Sequence, residues 1–177
     1  EVPREYEGLG GRALTSTIVG REVPGGCEAL GPRNKLILAP GLLSGTSAPC
    51  SGRLSAGAKS PLTGTIKESN SGGTAAQYLA RLGIAAIVVE GQPSNGALQI
   101  RHLSASETKL VAADELKGKG NYDTVATLFG KYRQKCSIMG IGQAGEMRLS
   151  AASIAVTDPE NRPTRHCGRG GLGAVMG

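Results

Sequence analysis

The stretch from Leu36 to Gly91 constrains the fold most, because two short apolar runs enclose a long segment rich in Gly, Ser, Thr and Pro. The runs cover residues 36–39 and 84–89, and short apolar runs bounded by turn residues are typical of buried strands. We therefore expect two core strands, with the turns of the domain concentrated between them.

A glycine pair inside this stretch precedes a predicted helix. Residues 74–82 carry Ala and Leu in their interior and are followed by Gly83, which is the pattern of a short helix with a glycine C-cap. The segment Ser69-Asn70-Ser71-Gly72-Gly73 is then the loop that enters the helix. Such a loop offers free backbone N–H groups and the positive end of a helix dipole, so we predict a phosphate or carboxylate site here.

The other patterns predict an α+β fold in a single domain over residues 1–177. Asn121 or Asp123 is expected to cap one helix, and Asn95-Gly96 predicts a turn. The predicted helices are 13–19 and 124–132, and the predicted strands are 54–59, 98–103, 108–112 and 151–156.

The composition disfavours nucleic acid as the ligand. The net charge is +6, but aromatic residues make up only 3% of the chain, and single-strand binders need aromatic side chains on which bases stack. Glycine is abundant, with 28 residues and no Gly-X-Y period, which favours tight turns and close approaches of the backbone to a ligand.

The cysteines predict reduced thiols in a cytoplasmic protein. Cys27, Cys50, Cys136 and Cys167 are widely spaced, so no CxxC pattern for a metal or an iron–sulfur cluster is present. These 177 residues contain no pattern that predicts a signal peptide or a membrane-spanning segment. Both ends predict a truncated domain, because Glu1 is not Met and the last residues, 174–177, lie in an apolar run.

An internal repeat is one interpretation of the order of the elements. Each unit has an apolar run, the letters RLSA (residues 53–56 and 148–151), a strand, a polar loop and a glycine pair (Gly72-Gly73 and Gly170-Gly171). The second unit is predicted to lack its final helix and strand. Two such units would place two glycine loops around a pseudo-twofold axis, which suits a ligand with two phosphate-bearing halves. Coincidence in a chain rich in Gly, Ala and Ser is the alternative.

Two nucleotide-binding patterns are incomplete. Residues 140–145 read GxGxxG, but residues 146–149 are too few for the helix that a dinucleotide site needs, and the strand-like residues 151–156 come next. Residues 52–60 resemble a P-loop without its GK[ST] ending. Neither a dinucleotide nor a nucleoside triphosphate is therefore expected.

Single residues leave the alternatives open. Arg53 suits bidentate contact with phosphate or carboxylate, or it is a solvated surface residue. Asn70 binds a ligand or caps the helix. Arg165 and Arg169 flank a glycine-rich turn and favour an anion, or they belong to a charged loop. His102 and His166 have no partner pattern for a metal or for catalysis, and Cys50 has no evident histidine partner.

Four segments together resemble a known family. They are residues 30–73 (from LGPRNKLILAPG to SNSGG), 79–91 (LARLGIAAIVVEG), 140–146 (GIGQAGE) and 168–177 (GRGGLGAVMG). In this order they closely resemble the N-terminal domain of the aldehyde ferredoxin oxidoreductases. The resemblance implies a fold with two β-sheets and flanking helices, on which a tungsten (or molybdenum) bis-pterin cofactor lies.

The resemblance also implies roles for particular residues. Arg53 matches an arginine between the pterin and a [4Fe–4S] cluster, and Asn70, Gly72 and Gly73 match one phosphate site. Arg165 and His166 match the second phosphate site, although the family often has a small residue at position 166. The backbone carbonyls of Asn70 and His166 would hold a magnesium ion that bridges the phosphates.

The resemblance implies partners as well. The cluster ligands and the acid–base residues of the family belong to later domains, so this chain alone is expected to be inactive. An aldehyde would be oxidised to a carboxylic acid, with ferredoxin as the electron acceptor and the remaining domains or a companion subunit completing the enzyme. The alternative is a non-catalytic domain that binds another phosphorylated ligand, or a structural subunit of a split enzyme.

Overall fold

The computed structural model describes residues 2–93, 96–133 and 135–177. Its helices are α1 (Gly11–Glu22), α2 (Ala75–Arg81), α3 (Asn121–Tyr132), α4 (Gln143–Glu146) and α5 (Leu172–Met176), with 3-10 turns at Arg4–Tyr6 and Asp114–Leu116. Its strands are β1 (Lys35–Pro40), β2 (Leu54–Lys59), β3 (Ile66–Ser71), β4 (Ile87–Glu90), β5 (Gln99–Leu103), β6 (Thr108–Ala112), β7 (Met139–Gly140), β8 (Ile154–Val156) and β9 (Arg165–Cys167).

A four-stranded antiparallel sheet in the order β3-β2-β1-β4 forms the centre of the fold. The two middle strands are buried on both faces because successive side chains point to opposite sides. Leu36 and Leu38 join one apolar cluster, whereas Ile37 and Ala39 join the other. Strand β1 therefore belongs to both halves of the core. Each fully buried Leu or Ile contributes about 1.5–3 kcal/mol from apolar transfer.

Helix α1 covers one face of this sheet. Leu14 and Ile18 lie one helical turn apart and pack with Ile37 in the same cluster. The helix can approach the sheet closely because β2 has glycine at position 57, where a Cβ would lie 2.6 Å from the Cβ of Thr15.

The opposite face packs against α2, α5 and a second sheet in the order β7-β8-β9. Leu54 shares this cluster with Ile154 and Leu172, and all three side chains are fully buried. A hairpin of β5 and β6 forms a further sheet, with Ile100 packed against the cluster that α3 contributes. Among the described residues, no helix is long and apolar enough to cross a membrane.

The predicted α+β class with flanking helices is confirmed, although the described residues form three sheets where the resemblance implied two. The predicted loop from Ser69 to Gly73 is wrong in its first part, because Ser69, Asn70 and Ser71 end strand β3 and pair with β2. The sequence pattern does not predict this part of the strand, because its side chains are polar and the strand is defined by its pairing with β2. The predicted turn at Asn95-Gly96 falls on Asn95, which lies outside the described residues.

The predicted side-chain cap of helix α3 is wrong. The N-cap residue is Gly120, which can make no side-chain hydrogen bond, and both Asn121 and Asp123 lie inside the first turn. An acidic residue in that turn still interacts favourably with the helix dipole.

The internal repeat is not confirmed as a pseudo-twofold arrangement. Residues 53–56 run into strand β2, whereas residues 148–151 lie in a turn before β8, so the RLSA letters do not mark equivalent structures. The second unit also contains a helix after its glycine pair, α5, contrary to the prediction. What the two units share is an order: three antiparallel strands, a glycine pair and a helix.

Candidate anion-binding site

Three of the predicted site residues meet at one end of the central sheet. Arg53 directly precedes β2, and its Nε donates to Oδ1 of Asn70 at 2.6 Å. Asn70 lies opposite Ser55 in the register of β2 and β3, and its Nδ2 donates to the Ser55 hydroxyl at 3.4 Å. A Cβ at Gly72 would lie 3.3 Å from Nη1 of Arg53, so the glycine leaves room for the guanidinium.

Arg53 keeps its charge available. Its side chain is exposed, and within the described residues it forms no ion pair with a carboxylate. A neutral amide orients the guanidinium through Nε, and neither terminal nitrogen has a hydrogen-bond acceptor among the described residues, which leaves both available for an anion. The alternative role of Asn70 as a helix cap is not observed, because the N-cap residue of α2 is Thr74 and no side chain caps this helix.

The second pair of predicted residues lies on strand β9. Arg165 and His166 are exposed, and they pair across the strands with Val156 and Ala155 of β8. His166 exchanges a hydrogen bond with the Ser153 hydroxyl through Nδ1 at 3.0 Å. Its imidazole is thus held by a neutral partner, and Arg165 forms no ion pair among the residues that the structure describes.

Both segments come together where β3 meets the second sheet. The backbone N–H of Arg169 donates to the Ser69 hydroxyl at 3.1 Å. Just after the end of β3, a Cβ on Gly73 would lie 3.0 Å from Cγ1 of Val156, which is the cross-strand partner of Arg165. The two predicted phosphate sites therefore lie on adjacent strand ends.

Gly73 itself has a structural reason to be glycine. Its φ is +95°, and a Cβ would lie 2.5 Å from the carbonyl oxygen of Thr157. The same carbonyl accepts the backbone N–H of Thr74 at 2.9 Å. The prediction of free N–H groups at this helix start is therefore wrong for Thr74, because its N–H already has a protein acceptor.

Sequence reasoning missed two buried groups beside Arg53. Glu68 lies two positions before Asn70 on the same face of β3. Its Oε2 accepts from Arg12 at 3.1 Å, while its Oε1 is buried and has no hydrogen-bond partner within the described part of the chain. Burial raises the pKa of the Cys167 thiol to about 12, the Glu68 carboxylate adds to the rise, and Arg53 opposes it. The alternation of β3 would have placed Glu68 on the same face as Asn70 if the strand had been recognised as far as Asn70.

The GxGxxG segment has a packing role. Residues 143–146 form a helix of a single turn, and a Cβ at Gly145 would lie 2.5 Å from the Cβ of Ile141. A dinucleotide site needs a long helix at this point. Across the described parts of the chain, no group of three or more His, Cys, Asp or Glu side chains could hold a metal ion.

The whole chain, residues 1–177, matches a family model described as the aldehyde ferredoxin oxidoreductase N-terminal domain. It is 39% identical over 170 residues to the tungsten-containing aldehyde ferredoxin oxidoreductase of Pyrococcus furiosus, covering 96% of this chain and 27% of that protein. The enzyme of the same name from Thermococcus kodakarensis is 40% identical over 170 residues, with the same coverage of both chains. The chain thus spans about a quarter of the length of these curated relatives.

A solved structure gives the same match in three dimensions. It is described as the active site complex BamBC of benzoyl coenzyme A reductase with 1,5-dienoyl-CoA. The TM-score is 0.90 at 32% identity, and the match covers 100% of this chain and 26% of that chain.

Proposed function

The chain belongs to the aldehyde ferredoxin oxidoreductase N-terminal domain family, and on that premise we propose that residues 1–177 form a single domain that anchors a tungsten (or molybdenum) bis-pterin cofactor by its phosphates. The relatives are tungsten-containing enzymes, which supports the metal. In this proposal Arg53, Asn70, Gly72 and Gly73 hold one phosphate, Arg165 and His166 hold the other, and the Asn70 and His166 carbonyls bind a bridging magnesium ion.

The exposed guanidinium of Arg53 is the observation that supports the proposal best. It is oriented by an amide and not neutralised by a carboxylate, and it stands beside a glycine that leaves space for it. Arg165, on the adjacent strand end, supplies a second guanidinium. Two such cations match two phosphates, because guanidinium groups bind phosphate oxygens in a bidentate geometry.

The residues of this chain would bind and orient the cofactor. When bound, the metal and its pterins supply the redox chemistry of the enzyme. Arg53 and Arg165 would neutralise phosphate charge, and the stacked sheets would hold the two anchoring points at a fixed separation. His166 would contribute its backbone carbonyl, while its imidazole stays on the Ser153 hydroxyl.

The activity of the whole enzyme needs the parts of the relatives that this chain does not span. We propose that those domains, or a companion subunit, carry the [4Fe–4S] cluster and the acid–base residues. Oxidation of an aldehyde with ferredoxin as acceptor is the activity that the names of the relatives favour. A cytoplasmic location is supported by the free thiols of Cys27, Cys50, Cys136 and Cys167.

A second candidate function is reduction of an aromatic coenzyme A thioester. The match to the benzoyl coenzyme A reductase complex favours it, because that match covers the whole chain. The higher identities to the aldehyde oxidoreductases rank it second. The candidate site would serve both reactions, since anchoring of phosphates does not choose the substrate.

Elemental analysis of the full-length protein that contains this chain tests the proposal. Arg53→Ala should lower the tungsten and phosphorus content, because losing a charged hydrogen bond costs about 1.5–3 kcal/mol, roughly 10- to 100-fold in affinity. Arg53→Lys, which keeps the charge without the planar fork, should lie between wild type and Arg53→Ala.

Arg101→Ala is the matched control, because Arg101 is exposed on the separate β5–β6 hairpin. It should leave both contents unchanged. Equal tungsten and phosphorus in wild type and in Arg53→Ala would overturn the role of Arg53. A wild-type protein with neither element, purified after growth with tungstate, would overturn the cofactor itself.

A further inference from the structure

Asp158 is a fully buried carboxylate in the loop that joins β8 to β9. Its two oxygens accept four hydrogen bonds, all from within the loop. Oδ1 accepts the backbone N–H groups of Glu160 at 3.0 Å and Arg162 at 2.9 Å, and Oδ2 accepts Nε of Arg162 at 3.1 Å and the Thr164 hydroxyl at 2.7 Å. A carboxylate can be buried when its acceptor capacity is filled in this way.

Backbone hydrogen bonds add to this network within the loop. The N–H of Asp158 donates to the carbonyl of Arg162 at 2.9 Å, and the N–H of Asn161 donates to the carbonyl of Asp158 at 2.9 Å. Asn161 adopts a φ of +63°, which turns the chain tightly between these contacts. The eight residues from 157 to 164 therefore have a defined path although they contain no regular element.

Each end of this loop leads to one half of the candidate site. At the start, the Thr157 carbonyl accepts the Thr74 N–H at 2.9 Å and lies against Gly73. At the end, Thr164 precedes Arg165 and is held by the carboxylate through its hydroxyl. The Asp158 side chain thus connects the start of the loop, which contacts Gly73 and Thr74, to the end of the loop, which Arg165 follows.

We propose that Asp158 is a positioning residue that fixes the separation between the Gly72-Gly73 segment and the Arg165-His166 segment, so that both meet the phosphates of one ligand. The inference rests on the proposed function, which supplies that ligand. Asp158 would touch neither the cofactor nor the substrate. It acts through the loop, as groups behind a binding residue commonly do.

Asp158→Asn is the most informative substitution, because it keeps the shape and places an N–H₂ donor against donors of Arg162 or Thr164. Glu160→Gln is the control in the same loop. The Glu160 side chain is exposed and, among the described residues, pairs only with Nη2 of Arg162, which also lies 3.0 Å from Oδ2 of Asp158. The substitution keeps the backbone N–H of Glu160 that Asp158 accepts. Ile18→Val in the α1 cluster is the control for lost global stability. Thr164→Val removes a single contact of the carboxylate and serves if Asp158→Asn does not fold.

Two measurements on the full-length protein test the proposal, each made at the same interval below the melting temperature of every variant. The first is amide hydrogen exchange of residues 165–167 in cofactor-free protein. The second is the rate at which tungsten and phosphorus leave the loaded protein. Asp158→Asn should speed the release by about 10-fold or more, the usual range for affinity lost with a group behind a metal-binding residue. Exchange of residues 165–167 should also be faster, and the controls should match wild type in both measurements.

The opposite result is equally clear. If exchange in Asp158→Asn rises no more at residues 165–167 than in the rest of the chain, and the release rate is unchanged, Asp158 is only a stabilising residue and the proposal is overturned. The two proposals can fail separately. A wild-type protein that holds no tungsten or phosphorus refutes the cofactor, while the exchange of residues 165–167 still decides whether Asp158 positions them.

Discussion

Thr74 and Thr157, 83 residues apart in the chain, are joined by backbone and side chain together. The Thr74 N–H donates to the Thr157 carbonyl at 2.9 Å, and its hydroxyl lies 3.1 Å from the same oxygen and 3.3 Å from the Thr157 hydroxyl. This contact ties the start of α2 to the end of β8. The two halves of the candidate site are therefore connected by contacts within the protein.

Gly73→Ala should destabilise the protein clearly. A Cβ at this position would lie 2.5 Å from the Thr157 carbonyl, and the φ of +95° is unfavourable for any L side chain. We expect a loss of about 2–4 kcal/mol, since a left-handed residue alone costs about 1–2 kcal/mol and the steric clash adds to it. The free energy of unfolding in urea measures the loss.

Gly83→Ala is the matched comparison for that substitution. Gly83 has a φ of +71°, but no heavy atom lies within 4 Å of a Cβ placed there. It should cost only the conformational part, about 1–2 kcal/mol. If both substitutions cost the same, the close approach of Gly73 to Thr157 contributes nothing to stability.

Local patterns in the sequence predict the elements whose apolar residues repeat regularly. Strand β1 is recognisable because its apolar run ends at turn residues, and β2 because its residues alternate loosely. Helix α3 is recognisable from the polar residues near its start. The part of strand β3 that carries Asn70 is not predicted, because Ser69 and Asn70 are polar and only the register with β2 shows that they continue the strand. A pairing that depends on a neighbour is invisible to a local pattern.

The candidate site divides in the same way. The family resemblance supplied Arg53, Asn70 and Arg165, whereas spacing alone left each of them open between a ligand and a surface role. The contact of Gly73 with Thr157 is non-local, so no sequence pattern could predict that a carbonyl faces this glycine. Asp158 stayed hidden for a similar reason, because a polar loop with prolines does not reveal which side chain is buried.

The buried thiol of Cys167 should resist alkylation in the folded protein. Burial and the nearby Glu68 carboxylate raise its pKa to about 12, so the reactive thiolate is scarce at pH 8. Cys50 is exposed and should be labelled by iodoacetamide first. Mass spectrometry of labelled peptides distinguishes the two, and labelling of Cys167 at the rate of Cys50 would show that the strand β9 opens readily.

Acid should destabilise the protein through Asp158. Burial works to raise the pKa of this carboxyl, but the Thr164 hydroxyl, the Arg162 N–H and the Arg162 guanidinium outweigh it and hold the pKa below its ordinary value. Its contribution to stability is therefore present above the unfolded-state pKa of about 3.9 and is lost as the pH falls through the lower folded-state pKa.

Urea unfolding as a function of pH measures this contribution. The free energy of unfolding should fall as the pH drops below about 4, and Asp158→Asn should lower the free energy near neutral pH and flatten that fall. Glu160→Gln, in the same loop but exposed, should keep the wild-type slope. An unchanged slope in Asp158→Asn would mean that other carboxylates account for the acid sensitivity.

Leu54→Ala tests the core on which the site is built. Leu54 is fully buried in the cluster shared by the two sheets, and it follows Arg53 directly. A cavity at this position should cost about 2–5 kcal/mol. Leu42→Ala, at a side chain that is 66% exposed, should stay within about 0.5 kcal/mol of wild type. Comparable losses in the two variants would contradict the packing described for β2.

Asn70→Asp separates charge from geometry at the candidate site. The aspartate would place a carboxylate oxygen where Oδ1 now lies, 2.6 Å from Nε of Arg53, and so would neutralise the guanidinium without displacing it. We expect the melting temperature to be equal to wild type or slightly higher, because an exposed ion pair adds at most about 1 kcal/mol. Phosphorus and tungsten content of the full-length protein should nevertheless fall, since two anions would compete for one cation.

Asn70→Ala is the control for this substitution, because it frees the guanidinium and adds no charge. It should retain more of both elements than Asn70→Asp. The reverse order would mean that Asn70 acts by orienting Arg53 and that the charge of Arg53 is secondary.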